Sequence, residues 1–164
     1  MKAAEPETTR WLRSDREGFT VVELLTVTVF IAILAAISVL GFRRAESNRR
    51  ATGARNTFVW MTRRARSQAV QRGTRVDFRL DPSTRQGTIT ARYAAGDTLL
   101  DQVDFGFEFK ATIPSGDSVR ICYGPRGFAQ RGCGTTAGTS SIHFINGTDT
   151  ATAEVRPLGQ VNAP

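Results

Sequence analysis

Residues Phe19 to Phe42 form an uninterrupted apolar run, FTVVELLTVTVFIAILAAISVLGF, with a single charge, Glu23, and no proline. A helix needs about 20 such residues to cross the hydrocarbon core of a bilayer, so this run constrains the fold before anything else does. It is too long, and begins too far from Met1, to be the short apolar core of a secretory signal peptide. No small-x-small cleavage pattern follows it. The sequence therefore predicts a retained membrane-spanning helix over residues 19–42. A carboxylate inside such a span costs about 2.5–3.5 kcal/mol at mid-helix and less near an end, which makes Glu23 a functional candidate by default.

The flanks of the run differ in charge. Before it, residues 1–18 form a polar segment in which Lys2, Arg10, Arg13 and Arg16 balance Glu5, Glu7, Asp15 and Glu17. After it, 11 arginines fall between Arg43 and Arg79 against only Glu46 and Asp77, so the net charge of +7 has its origin in this one stretch. Within it Ala51, Ala54, Phe58, Met61, Ala65 and Ala69 recur at spacings of three and four, the pattern of one apolar face on a helix. Nothing between Phe42 and Ala45 breaks a helix, and Gly73 supplies a left-handed stop. An amphipathic basic helix over residues 43–73, continuous with the apolar one, is expected, and its stripe needs a surface to pack on. Trp60, beside the stripe, is expected to be buried there.

That surface is expected from residues 74–164. TRVDFRL alternates apolar and polar residues, DPSTRQG is a turn cluster, and TITARY follows, which together read as a β-hairpin. Further strands are expected at LLDQVDF, FEFKATI, SVRICYG, SSIHFIN and TATAEVRP. One helix followed by several short strands implies an α+β unit with an antiparallel sheet packed on the helix. Cys122 and Cys133 are the two cysteines. In an exported domain they would oxidise to a disulfide worth roughly 2–4 kcal/mol; otherwise they are two small core residues. They do not make a structural zinc site, which wants four ligands.

Gly18 directly before Phe19, then Thr20, Glu23 and the apolar helix, resemble the N-terminal signature of type IV pilins and of the pseudopilins of type II secretion. Downstream, RNTFVWMTRRARSQAVQRGTRVDF, with Ala65, Arg66, Ser67, Ala69, Arg72, Gly73 and Val76, resembles a segment of the GspH/FimT group of minor pseudopilins. ICYGPRGFAQ, SSIHFIN and VRPLGQV resemble that group's later strand turn and closing Gly-x-Val.

The resemblance implies a pilin-like fold and a leader, residues 1–18, removed by a prepilin peptidase that cuts between Gly18 and Phe19 and methylates the new amine of Phe19. It implies that Glu23 acts in assembly, pairing with that amine on a neighbouring subunit. It places the chain in the inner membrane with a single pass and its head in the periplasm. Partners would be the peptidase, major and minor pseudopilins, an inner-membrane assembly platform and membrane lipid. The function implied is that of a structural subunit of a secretion pseudopilus or of a type IV pilus tip.

An alternative is DNA binding for natural transformation. FimT-like proteins do this through a basic Gly-Arg-x-Arg motif near the C-terminus, but here the tail is Leu158-Gly159-Gln160-Val161-Asn162, with no arginine after the glycine. The arginine stretch reads first as a solvated helix face. Catalysis, metal and cofactor are not expected: His143 is the one histidine, it is expected to face solvent or a loop, and acid–base chemistry has little else to use.

Overall fold

The computed structural model describes residues 20–130, 133 and 139–163. The leader, Gly18 and Phe19 lie outside the described residues. The chain divides into two units, Met1–Leu40 and Gly41–Pro164.

Helix α1 runs from Val21 to Arg72 without interruption, as a stretch free of proline allows. In the first unit its described side chains are exposed, from Val21 at 82% to Ile37 at 65%. A helix apolar on every side and covered on none is built for a surround other than water. The Val21–Ser38 window meets the length and composition of a single membrane crossing.

In the second unit α1 carries the expected stripe: Ala51, Ala54, Phe58, Met61, Ala65 and Ala69 are all fully buried. Gly73, at φ +60°, ends the helix in the left-handed conformation, its amide bonded to the Val70 carbonyl. The chain then returns as β1 (Arg75–Asp81), β2 (Gln86–Tyr93) and β3 (Gly96–Asp104), followed by a short helix α2 (Phe105–Glu108), β4 (Val119–Tyr123), β5 (Ser140–Asn146), β6 (Asp149–Val155) and β7 (Val161–Asn162). Asp81 accepts from the amide and hydroxyl of Ser83, closing the DPST turn.

The strands form two antiparallel sheets rather than one, a four-stranded sheet in the order β3-β2-β1-β4 and a three-stranded sheet β5-β6-β7. Both face the same helix. The Phe58 ring lies 5.5 Å from Phe78 of the first sheet and 5.5 Å from Phe144 of the second, so one helical side chain joins the two layers. Val76, Leu80, Ile89 and Ile121 complete the first inner face, and Ile142, Ala153 and Val155 the second.

Two expectations are corrected. FEFKATI is not a strand. Asp104 accepts a hydrogen bond from the Phe107 amide and caps α2 over its first part, and only Thr112 makes a bridge, to Ile145. Trp60 is not buried: it is 49% exposed with the Arg64 guanidinium 4.8 Å over its ring, because it lies off the alanine stripe.

Candidate functional site

The first candidate is the start of α1. The sequence Thr20-Val21-Val22-Glu23 has the Thr-x-x-Glu spacing of a capping box, and the Thr20 hydroxyl oxygen accepts from the Glu23 amide at 3.2 Å. Glu23 thus occupies the first turn, where the helix dipole favours a negative charge.

The remaining hydrogen-bonding side chains of the apolar segment that are described satisfy themselves. Thr26, Thr28 and Ser38 donate to the carbonyls of Glu23, Leu25 and Leu34 at 2.8–2.9 Å. The Glu23 carboxylate has no such partner among the described residues. Gly18 and Phe19, the expected cleavage and methylation positions, lie outside them.

The second candidate was not expected from the sequence. Alternation along β1 turns Asp77 away from the core, on the side of Arg75 and Arg79, yet it is buried. Arg75 donates to it at 2.8 Å, Arg92 of β2 at 3.0 Å and Arg120 of β4 at 2.6 Å. Three strands are thereby tied to one carboxylate, and Arg92 pairs with Asp97 of β3 as well.

Burial pushes the Asp77 carboxyl upward, but the hydrogen bonds from Arg75, Arg120 and Arg92 outweigh it and hold the group below its ordinary 3.8. Directly across the ladder from Asp77 sits Cys122, bonded to Cys133 with the two Cα atoms 5.9 Å apart. Arg75 also donates toward both sulfurs.

Asp77, Cys122 and Cys133 lie close enough to hold an ion. The sulfurs are spent on each other and the carboxylate on guanidinium groups, so the donor set does not fit one. The cluster works as a structural clamp. The signal that could have found it is the Arg-x-Asp-x-Arg spacing on the outward face of β1, but the contributions of Arg92 and Arg120 need the register.

The third candidate is a groove of about 220 Å³ lined by Thr62, Arg63, Arg66, Tyr123 and the tail residues Gly159 to Asn162. The buried Tyr123 hydroxyl donates to the Gly159 carbonyl at 2.7 Å, and burial pushes its ionisation far above the usual value, against a small opposing effect of Arg66. Gly159 is required there: at φ +71° a Cβ would stand 2.8 Å from the Ala129 Cβ.

Beside the groove the three-residue loop Pro125-Arg126-Gly127 turns β4 back on itself, with Gly127 at φ +76° and Phe128 exposed. His143, by contrast, is held by Asp117, whose carboxylate contacts its ring Nδ1 at 2.8 Å and accepts from its amide at 2.7 Å.

Comparison with known proteins adds two findings. The family described as type II transport protein GspH matches residues 54–159, more than half of the chain. Among solved structures, the type IV minor pilin FimU of Pseudomonas aeruginosa, in a P21 crystal form, aligns with a TM-score of 0.50 at 14% identity, over 70% of this chain and 87% of that one. A second crystal form of FimU, P65, gives 0.49 at 14% identity, over 69% and 91%. No curated protein sequence matches.

Proposed function

Because the chain belongs to the GspH family and is a minor pseudopilin of the GspH/FimT kind, we propose that it is an assembly subunit of a type II secretion pseudopilus. Membership of this family implies a structural protein that associates with other pilins or pseudopilins, not an enzyme. In the proposed sequence of events a prepilin peptidase removes residues 1–18, leaving and methylating the amine of Phe19. Residues 19–42 then hold the subunit in the inner membrane, with the head in the periplasm, until the assembly platform passes it into the fibre.

The observation that carries this reading is the Glu23 carboxylate, which has no partner among the described residues, in a segment whose Thr26, Thr28 and Ser38 hydroxyls are bonded to its own backbone. Two desolvated opposite charges neutralise each other, whereas one left alone is strongly unfavourable. An amine on the neighbouring subunit's Phe19 meets the requirement and fixes the register between helices.

The test is complementation of a secretion-deficient strain lacking this gene. Glu23→Ala should be processed normally but fail to enter the pseudopilus and to restore secretion. Normal incorporation would remove the pairing from the mechanism, and rescue of a pilus defect in place of a secretion defect would move the subunit to a type IV pilus tip.

One observation favours a second reading, DNA capture. Arg63 and Arg66 stand beside the Gly159–Asn162 tail, so the helix supplies cations where the tail lacks them. Phosphate contacts make duplex affinity fall steeply with salt. A gel shift with salt titration on the detergent-solubilised chain decides it: steep salt-dependent binding lost in Arg63→Gln/Arg66→Gln supports this reading, and no shift at low salt removes it.

A further inference from the structure

The arginines nearest the apolar run raise a separate question. The run ends at Phe42, and Arg43, Arg44, Arg49 and Arg50 follow within eight residues. At 1.5 Å rise per residue Arg44 lies about 3 Å and Arg49 about 10 Å beyond Phe42 along the helix. A headgroup layer is about 5–8 Å deep on each side of the hydrocarbon, and an arginine side chain can reach back several ångströms toward it. Both residues are therefore within range of lipid phosphate if the run spans the bilayer.

They are also available. Arg44 and Arg49 are exposed, and among the described residues neither has a carboxylate partner. Arg50, by contrast, is held by Glu46 at 2.8 Å. The β-rich part of the head returns to this level of the helix. The Ser47 hydroxyl donates to the Asn146 carbonyl, and the Asn146 amide donates to the carbonyls of Phe109 and Lys110 at 2.9 and 3.1 Å.

That docking ties the Lys110 backbone, at φ +51° with its side chain exposed, to Ser47 through Asn146. Among the described residues, the acidic groups at this end are Glu46, already paired, Asp149, with one carboxylate oxygen buried, and Glu108, exposed. The cations outnumber the free acids.

We infer that Arg44, Arg49 and Lys110, spaced around the helix rather than along one face of it, bind the phosphates of anionic phospholipids before assembly. The inference rests on reading residues 19–42 as the span. It gives a physical reason for placing arginines on the exported flank, where the usual bias disfavours them. Headgroup attraction offsets that bias at roughly fivefold in binding per cation near an anionic surface, and it is screened by salt.

The test uses the full chain in nanodiscs of phosphatidylcholine doped with phosphatidylglycerol. Spin-labelled versions of each lipid report the motionally restricted fraction. Phosphatidylglycerol should be enriched around the protein several-fold at low salt, and Arg44→Gln/Arg49→Gln should abolish most of the enrichment. Arg72→Gln, on an exposed position at the far end of the same helix, about 45 Å from Phe42, should leave it intact.

Equal restriction of the two lipids, an unchanged preference in the double variant, or an equal loss in Arg72→Gln would overturn the inference. So would displacement by inorganic phosphate at the same phosphate concentration, which would mark an ordinary anion site. None of these outcomes bears on cleavage at Gly18 or on the Glu23 pairing. A chain that fails to enter the discs at all overturns the span on which both readings stand.

Discussion

The Tyr123 hydroxyl donates to the Gly159 carbonyl at 2.7 Å, and this one bond fastens the C-terminal turn to β4. Removing the hydroxyl leaves a buried carbonyl without its donor, which costs about 1–3 kcal/mol. Tyr123→Phe should lower the urea midpoint accordingly with an unchanged slope. Gly159→Ala should cost at least as much, since the new methyl meets Ala129, Ile121 and Tyr123 within 3.0 Å at a positive φ.

Asp77 makes stability depend on acid. Its folded carboxyl titrates below 3.8, so the clamp is fully present above that value and is lost as pH falls through the lower, folded one. Asp77→Asn should be destabilised by about 2 kcal/mol at neutral pH. The gap from the parent protein should close as pH drops below 3.8. Thermal melts across that range measure both; a gap constant with pH would show that the charge contributes nothing.

Phe58 and Trp60 should behave in opposite ways to their sizes. Phe58 touches rings of both sheets and is fully buried, so Phe58→Ala should cost about 3–5 kcal/mol. Trp60 is half exposed and keeps mainly its contact with Arg64, so Trp60→Ala should cost about 1 kcal/mol or less. Denaturant titration of the two variants side by side compares them directly.

Cleavage and pairing separate in the N-terminal residues. Gly18→Leu should leave the precursor uncut, because a side chain at the scissile position obstructs the peptidase, and immunoblots should show only the longer form. Intact mass of the native protein should begin at Phe19 and carry one added methyl. Glu23→Gln, which keeps the size and removes the charge, should be cut and methylated like the parent yet be depleted from sheared fibres.

What the sequence made legible follows from periodicity. The Ala51-to-Ala69 stripe and the Val76, Phe78, Leu80 alternation predict a helix face and a strand face, and each is buried as expected. What it hid depends on register and on competition between local and tertiary forces. FEFKATI has the composition of a strand, but a capping aspartate one residue before Phe105 and the packing of that ring at 5.4 Å from Phe144 turn its start into a helix. The division into two sheets is not encoded in any one strand. The Asp77 clamp joins residues from β1, β2 and β4, which only the folded ladder brings together.

The threonine and serine hydroxyls of the apolar segment turn inward on their own backbone. Such a helix has no polar demand that changes when acyl chains are exchanged for neighbouring helices, so the exchange is nearly neutral in hydrogen bonding. Whether a subunit leaves the bilayer then depends on how well its greasy contour nests against others, and on the fate of a single carboxylate.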